Sequence, residues 1–178
     1  VNMFFNNTLK LERNPLNNTL YAIFSKVNLL DKSSEYYSLV SDLIENEVVL
    51  EMKNYIQHGT TTCYQHCLNV SYYSYKVCKK LGLDKESAAR AGLLHDLFLY
   101  DWHHHSIKKP FLQKHGFSHP KKALDNANKY FNINNVEEDM ILKHMFPLTL
   151  KLPKYKETYV IILVDKICCI AEVFNNIF

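Results

Sequence analysis

Asp165 interrupts one of the most apolar stretches of the chain: Tyr159, Val160, Ile161, Ile162, Leu163 and Val164 precede it, and Ile167, Cys168, Cys169 and Ile170 follow. A lone ionised carboxylate in such surroundings costs several kcal/mol unless it is paired or binds a metal. Asp96 poses the same problem inside Gly92-Leu93-Leu94-His95-Asp96-Leu97-Phe98. Histidine is abundant, with nine residues, and several fall beside apolar positions. His66 adjoins Cys67 and Val70. His119 shares a helical face with Ala123, Ala127 and Tyr130, and His144 shares one with Met140 and Ile141. Inward histidines need partners for both ring nitrogens. A divalent cation among these groups would satisfy carboxylates and imidazoles together, and mixed N/O ligation suits Fe, Mn, Ni, Co or Zn. Taken singly, a histidine on an apolar face is more often a satisfied core residue. A buried aspartate more often caps a helix or pairs with a base such as Lys166. The residues alone leave both explanations open.

The elements that position these groups read as helices. Ser33 and Ser34 are N-cap candidates for a helix whose apolar residues recur from Tyr37 as far as Ile56, with Gly59 breaking it. A second helix runs from about Thr61 to Leu81 with Gly82 as its C-terminal cap and a stripe of Cys63, Cys67, Val70, Val77 and Leu81. Asp84 caps a third, whose Ala88, Ala89, Ala91 and Gly92 let a neighbour come close. Residues 99 to 117 read as a loop. His119-Pro120 opens the next helix, and Asn135 caps a short one ending before Pro147. The segment from about Lys156 to Ile177 has β-branched residues at its centre, but its length favours helix. Residues 1 to about 18 show no period, and a helical segment is expected from Leu20 to Leu30. The expected class is all-α: an N-terminal helical cover over residues 1–50 and one functional domain over 51–178.

Composition bounds the function. The chain has 178 residues, 47% of them hydrophobic, which fits one packed domain. The net charge is +3 and the only arginines are Arg13 and Arg90, so a nucleic-acid surface is not expected. The five cysteines do not read as a disulfide framework, no basic signal-peptide start is visible, and no apolar run is long enough to span a bilayer. A reduced, cytoplasmic protein without membrane contact is expected. The abundance of Lys, Asn, Tyr and Ile hints at an AT-rich bacterial genome.

The ordered set His66, His95-Asp96 and a distant Asp165 resembles the H…HD…D pattern of HD-domain phosphohydrolases. Gln65-His66-Cys67 with Val70, and Ala91-Gly92-Leu93-Leu94-His95-Asp96, match the words around it, and the likeness covers about residues 55 to 175. His119 and His144 extend it to H…HD…H…H…D. That is the pattern of the two-metal branch, which includes the YqeK-like diadenosine tetraphosphate hydrolases. The resemblance implies a single-domain helical bundle of the HD type with one or two divalent metals (Fe, Mn, Ni, Co or Zn). His66, His95, Asp96 and Asp165 would hold one. His119 and His144 would hold the second, with Asp96 bridging. It further implies hydrolysis of a phosphoester or phosphoanhydride, of a nucleotide first of all, by metal-activated water, with Asp96 and His95 as the catalytic pair. A homodimer is compatible with it. The chain departs from the family where many members continue with Gly-Lys after the dipeptide; here Leu97-Phe98-Leu99-Tyr100-Asp101 follows.

Phosphates need cationic partners, for which Lys108, Lys109, Lys143 and Lys166 are candidates. Trp102, Tyr64, Tyr100 and Phe146 are available to stack on a base. Solvated surface and core packing are the commoner fates of these residue types. His103-His104-His105 reads as loop surface, since consecutive residues cannot converge on one point. Cys63 and Cys67, one turn apart, lack a fourth ligand for zinc. His58 reads as a helix terminus, where the dipole favours a cation. Three other functions remain open: a non-catalytic nucleotide- or metal-sensing module, a di-iron oxygenase, and a helical interaction protein.

Overall fold

The computed structural model describes residues 31–101 and 115–175. The expectations for residues 1–30, Trp102, the histidine run 103–105, Lys108 and Lys109 lie outside the described residues. Helix α1 (Glu35–Ile44) is capped by Ser34, whose hydroxyl accepts from Tyr37 N. The continuous helix expected as far as Ile56 is instead broken after Ile44. Asn46 caps a one-turn helix α2 (Glu47–Leu50), a 3-10 turn follows (Glu51–Asn54), and the chain then enters strand β1 (Ile56–His58). Gly59, at φ +57°, turns β1 into strand β2 (Thr61–Thr62), so it makes a hairpin rather than a helix end. The hydrogen bond from Cys63 N to Tyr55 O (2.8 Å) extends that pairing into the next helix, a tertiary contact that overrides helical spacing.

Helix α3 (Cys63–Leu81) begins on Thr62 and ends at Gly82 in the left-handed region (φ +66°), where Leu83 N bonds back to Cys78 O. Its inward stripe differs from the expected one in the second half. Ser71, Ser74, Tyr75 and Cys78 are buried, whereas Val77 and Leu81 are exposed, because the face that meets helix α4 (Lys85–Leu94) rotates away from them. Asp84 caps α4 by accepting from Ser87 N at 3.0 Å.

Helix α5 (His115–Tyr130) starts one turn before the expected opening, and Pro120 sits inside it. The proline removes only the bond that Gly116 O would have accepted, so the helix continues through it. Helix α6 (Asn135–Lys143) is capped by Asn134 rather than Asn135. Asn134 and Glu137 form a reciprocal capping box that only the former position completes. Helix α7 (Lys156–Asn175) is helical throughout, as its length implied.

The helices share one hydrophobic core that runs in sequence from Tyr36 to Cys168. α3 lies against α4 and α7, α4 against α1 and α6, and α6 against α5 and α7. The α3–α4 seam is close because Gly92 has no side chain: a Cβ there would stand 2.5 Å from Ser71 Cα. Ser71 Oγ donates to Ala89 O (2.6 Å) and pairs with the Tyr36 hydroxyl (2.8 Å), tying α1, α3 and α4 together. Arg90 forks onto Asp42 at 2.7 and 3.0 Å and reaches Glu137, joining α1, α4 and α6. Helix α7 buries Val160, Ile161, Val164, Cys168 and Ala171 and turns Tyr159, Leu163, Ile167 and Ile170 outward. Among the described residues no helix is long and apolar enough to cross a membrane.

Candidate metal centre

Five helices each bring one part of a buried polar centre. α3 contributes His66 from its first turn. The end of α4 contributes its C-cap His95 and then Asp96. α5 contributes His119, the end of α6 its C-cap His144, and α7 contributes Asp165. All six are between 0% and 4% exposed. The six residues singled out in the sequence are therefore brought together.

The imidazoles are aimed. His95 Nδ1 donates to Gly92 O and His144 Nδ1 to Ile141 O, both at 2.8 Å. His66 Nδ1 donates to the Glu172 carboxylate at 2.9 Å. With Nδ1 engaged outward, each ring presents Nε2 to the centre, the arrangement that ligating histidines need. Asp96 Oδ1 stands 3.2 Å from His119 Nε2 and 3.6 Å from His144 Nε2, while its Oδ2 stands 3.5 Å from His95 Nε2. Asp165 Oδ1 lies 3.2 Å from His66 Nε2 and 3.8 Å from His95 Nε2. His119 Nε2 and His144 Nε2 are 2.7 Å apart. Two clusters of donor atoms within 4.8 Å of one another result, His66–His95–Asp96 and Asp96–His119–His144, with Asp96 in both.

These residues fit a divalent cation. Among the described residues, His95 Nε2 and Asp96 Oδ1 are buried and find no hydrogen-bond partner, although imidazole nitrogens face both. An unsatisfied buried polar atom costs about 1–3 kcal/mol, and a cation between the donors would satisfy both atoms. The protonation balance agrees. Burial alone would lower the pKa of His66, but Asp165 and Glu172 outweigh it and hold the ring protonated well above its ordinary range. Burial likewise opposes His95, yet Asp96, Cys67 and Asp165 raise it to about 9. Asp96 is held well below the usual carboxylate range by His95, His119 and His144 despite its burial. In the metal-free protein, protons on His66 and His95 thus stand in for cationic charge. His144, buried beside His119 and His95, is pushed down to about 3 and stays neutral.

Glu172, Asn69 and Gln57, none of them singled out in the sequence, support the centre. Glu172, 5% exposed, orients His66 and is itself held by Asn69 Nδ2 at 3.0 Å. Gln65 Nε2 in turn donates to Asn69 Oδ1 at 2.9 Å. Gln57, from β1, donates to Asp96 Oδ2 at 2.6 Å. Glu172 had a signal: it lies seven residues, two turns, after Asp165 on the same inward face. Gln57 had none, because its position depends on the hairpin.

The other expected residues fare differently. Lys166 Nζ pairs with Asp165 Oδ2 at 2.6 Å and is half exposed, at the rim of the centre. Lys143 pairs with Asp139, and the two line a separate shallow cleft with Lys154 and Tyr155. The geometry thus gives Lys143 to a structural carboxylate. Tyr64 is buried in the core. Tyr100 packs against Phe98 with the rings tilted by 59° and carries Lys122 over its ring at 4.2 Å. Leu99 takes φ +53°, rare for a bulky residue, in the reversal that follows the His95-Asp96 pair. Cys63 and Cys67 are buried beside the centre, Cys63 donating to Asp96 O at 3.4 Å, and burial keeps the Cys67 thiol protonated. His58 is not at a helix terminus: it closes β1, with its Nε2 3.2 Å from Cys169 Sγ.

Fold and centre together define a helical protein built around an imidazole–carboxylate cluster suited to divalent metal. The HD domain family model matches residues 63–177, more than half of the chain, and the chain belongs to that family, a superfamily of metal-dependent phosphohydrolases. No curated protein and no solved structure matches it.

Proposed function

We propose that the chain hydrolyses a phosphoester or phosphoanhydride bond, with a nucleotide as the preferred substrate. The observation that carries this reading is that Asp96 presents one oxygen to His119 and His144 and the other toward His95. A carboxylate common to two histidine clusters would suit a pair of cations that activate water and screen phosphoryl charge. His66, His95, Asp96 and Asp165 would hold one cation, and Asp96, His119 and His144 the other. Bound there, the metals would supply a water of lowered pKa and screen the phosphoryl charge.

The chain's own residues do the rest. Gln57 holds Asp96 Oδ2 and so fixes the plane of the shared carboxylate. Glu172 fixes the tautomer of His66. Lys166, half exposed beside Asp165, would meet a substrate phosphate oxygen. Burial of all six ligand candidates keeps bulk water from competing.

The test is phosphate release from a panel of nucleotides by protein loaded with Mn²⁺, Fe²⁺ or Co²⁺, beside the Asp96→Ala variant. Turnover lost in Asp96→Ala while circular dichroism is unchanged supports the reading. Turnover retained in metal-replete Asp96→Ala overturns it. Stoichiometric metal without turnover on any nucleotide would move the assignment to a sensing module. A mixed-valent iron spectrum with an organic substrate would move it to an oxygenase.

A further inference from the structure

A second group of metal-type donors flanks the centre on α7 and β1. His58 Nε2 lies 3.2 Å from Cys169 Sγ, Cys169 Sγ lies 3.4 Å from Asp165 Oδ1, and Asp165 Oδ1 lies 3.2 Å from His66 Nε2. The His58 and His66 rings meet edge to face at 5.6 Å. The donor atoms of His58, His66 and Cys169 all fall within 4.8 Å of one another. Nitrogen and sulfur ligands bound to one tetrahedral cation at ~2.1 and ~2.3 Å stand about 3.6 Å apart, so the observed spacing needs only small side-chain adjustments. The burial is graded as well. His66 is fully buried, whereas His58 and Cys169 are partly exposed.

The donor chemistry differs from that of the centre. The six inward ligands offer imidazole and carboxylate, which accommodate Mn and Fe as well as Zn. A thiolate beside imidazoles selects thiophilic ions. We propose that His58 and Cys169, with His66 and Asp165, form a second, thiolate-containing site for a thiophilic divalent cation such as Zn²⁺. It sits on the more exposed side of the buried centre and competes with it for His66 and Asp165. The thiol proton leaves to solvent as the sulfur–metal bond forms, so charge and atoms balance. Because the His66 ring nitrogen that faces both arrangements has a single lone pair, it binds one cation at a time, and the outer donors His58 and Cys169 are the more exposed of the set.

This inference rests on the metal-binding part of the proposed function, and its test separates the two. Metal-free full-length protein is titrated with Co²⁺ and followed by absorbance. Only a thiolate ligand produces the intense near-ultraviolet sulfur-to-cobalt band, while the inward ligands give weak visible bands alone. Expected is a sulfur band that saturates, is erased by stoichiometric Zn²⁺, disappears in Cys169→Ser and persists in Cys67→Ser and Asp96→Asn. His58→Ala should weaken the apparent affinity read from that band by roughly tenfold or more, which keeps the test decisive if Cys169→Ser folds poorly. Visible cobalt bands without the sulfur band overturn this site and leave the buried centre standing. A sulfur band that survives Cys169→Ser assigns the thiolate elsewhere and overturns it too. Absence of any cobalt spectrum overturns both.

Discussion

The Glu172 carboxylate accepts the Nδ1 proton of His66 at 2.9 Å across 106 residues of sequence, and through it α7 decides which nitrogen α3 presents to the centre. Outer carboxylates of this kind fix the tautomer and raise the basicity of a ligating imidazole. Glu172→Gln keeps the shape but can turn its amide N–H toward His66 and compete for the orientation. Metal affinity is expected to fall about 10–100-fold in chelator competition, with the unfolding transition retained. Unchanged affinity would remove Glu172 from the metal-supporting shell.

His119 belongs to one of the two donor clusters, with Asp96 and His144. His119→Ala should therefore lower bound metal from two equivalents to one by elemental analysis, and abolish nucleotide turnover if both cations are needed. Loss of both equivalents would show that the clusters fill cooperatively, and loss of neither would exclude the second position.

The proton on His95 sets a pH dependence. Its burial opposes the charge, but Asp96, Cys67 and Asp165 raise its pKa from 6.5 to about 9. A cation must displace that proton, so metal affinity should climb as pH rises toward about 9, and the proton that Asp165 and Glu172 hold on His66 adds to the same climb. Calorimetric titration in buffers of different ionisation enthalpy counts the protons released. The same linkage acts on folding of the metal-free protein. A raised pKa contributes stability that is fully present below the unfolded value near 6.5 and is lost as pH rises through the folded value. His144, lowered to about 3, acts in the opposite sense, its contribution being lost as pH falls from about 6.5. Midpoints of denaturant unfolding should thus decline above pH 6.5 in metal-free protein and hold in loaded protein. A loaded protein that declines in parallel would refute the account.

Gly92 tests the seam that positions the dipeptide. A Cβ at this position meets Ser71 Cα at 2.5 Å and Ser71 N at 2.8 Å, backbone atoms that no rotamer change relieves. Gly92 O also accepts from His95 Nδ1. Gly92→Ala should cost about 3 kcal/mol in urea unfolding and weaken metal binding in the fraction that folds. A stability change within about 0.5 kcal/mol, the range of ordinary surface substitutions, would show that α3 and α4 separate easily.

Several helix ends and the six ligand candidates were legible from residue type and spacing. Gly82 and Asp84 marked helix ends because their backbone and capping chemistry is local. Asp96 and Asp165 stood out because an ionised carboxylate among apolar residues demands a partner wherever the chain places it. The small residues of α4 foretold a close helix contact for the same local reason. Packing between elements set which face of α3 turns inward beyond Ser71, where the helix after α1 gives way to a hairpin, and that Gln57 and His58 reach the centre at all. Those outcomes depend on contacts outside the helical repeat, such as Cys63 with Tyr55 across the hairpin and Gln57 with the distant Asp96, and helical periodicity carries no information about them. The same holds for Lys143 and Lys166. Both are cations near a ligand in the chain, but packing gives one to Asp139 and sets the other at the rim beside Asp165. Residue type determined what each group can do, and the packing of α7 across α3 and α6 determined which groups act together.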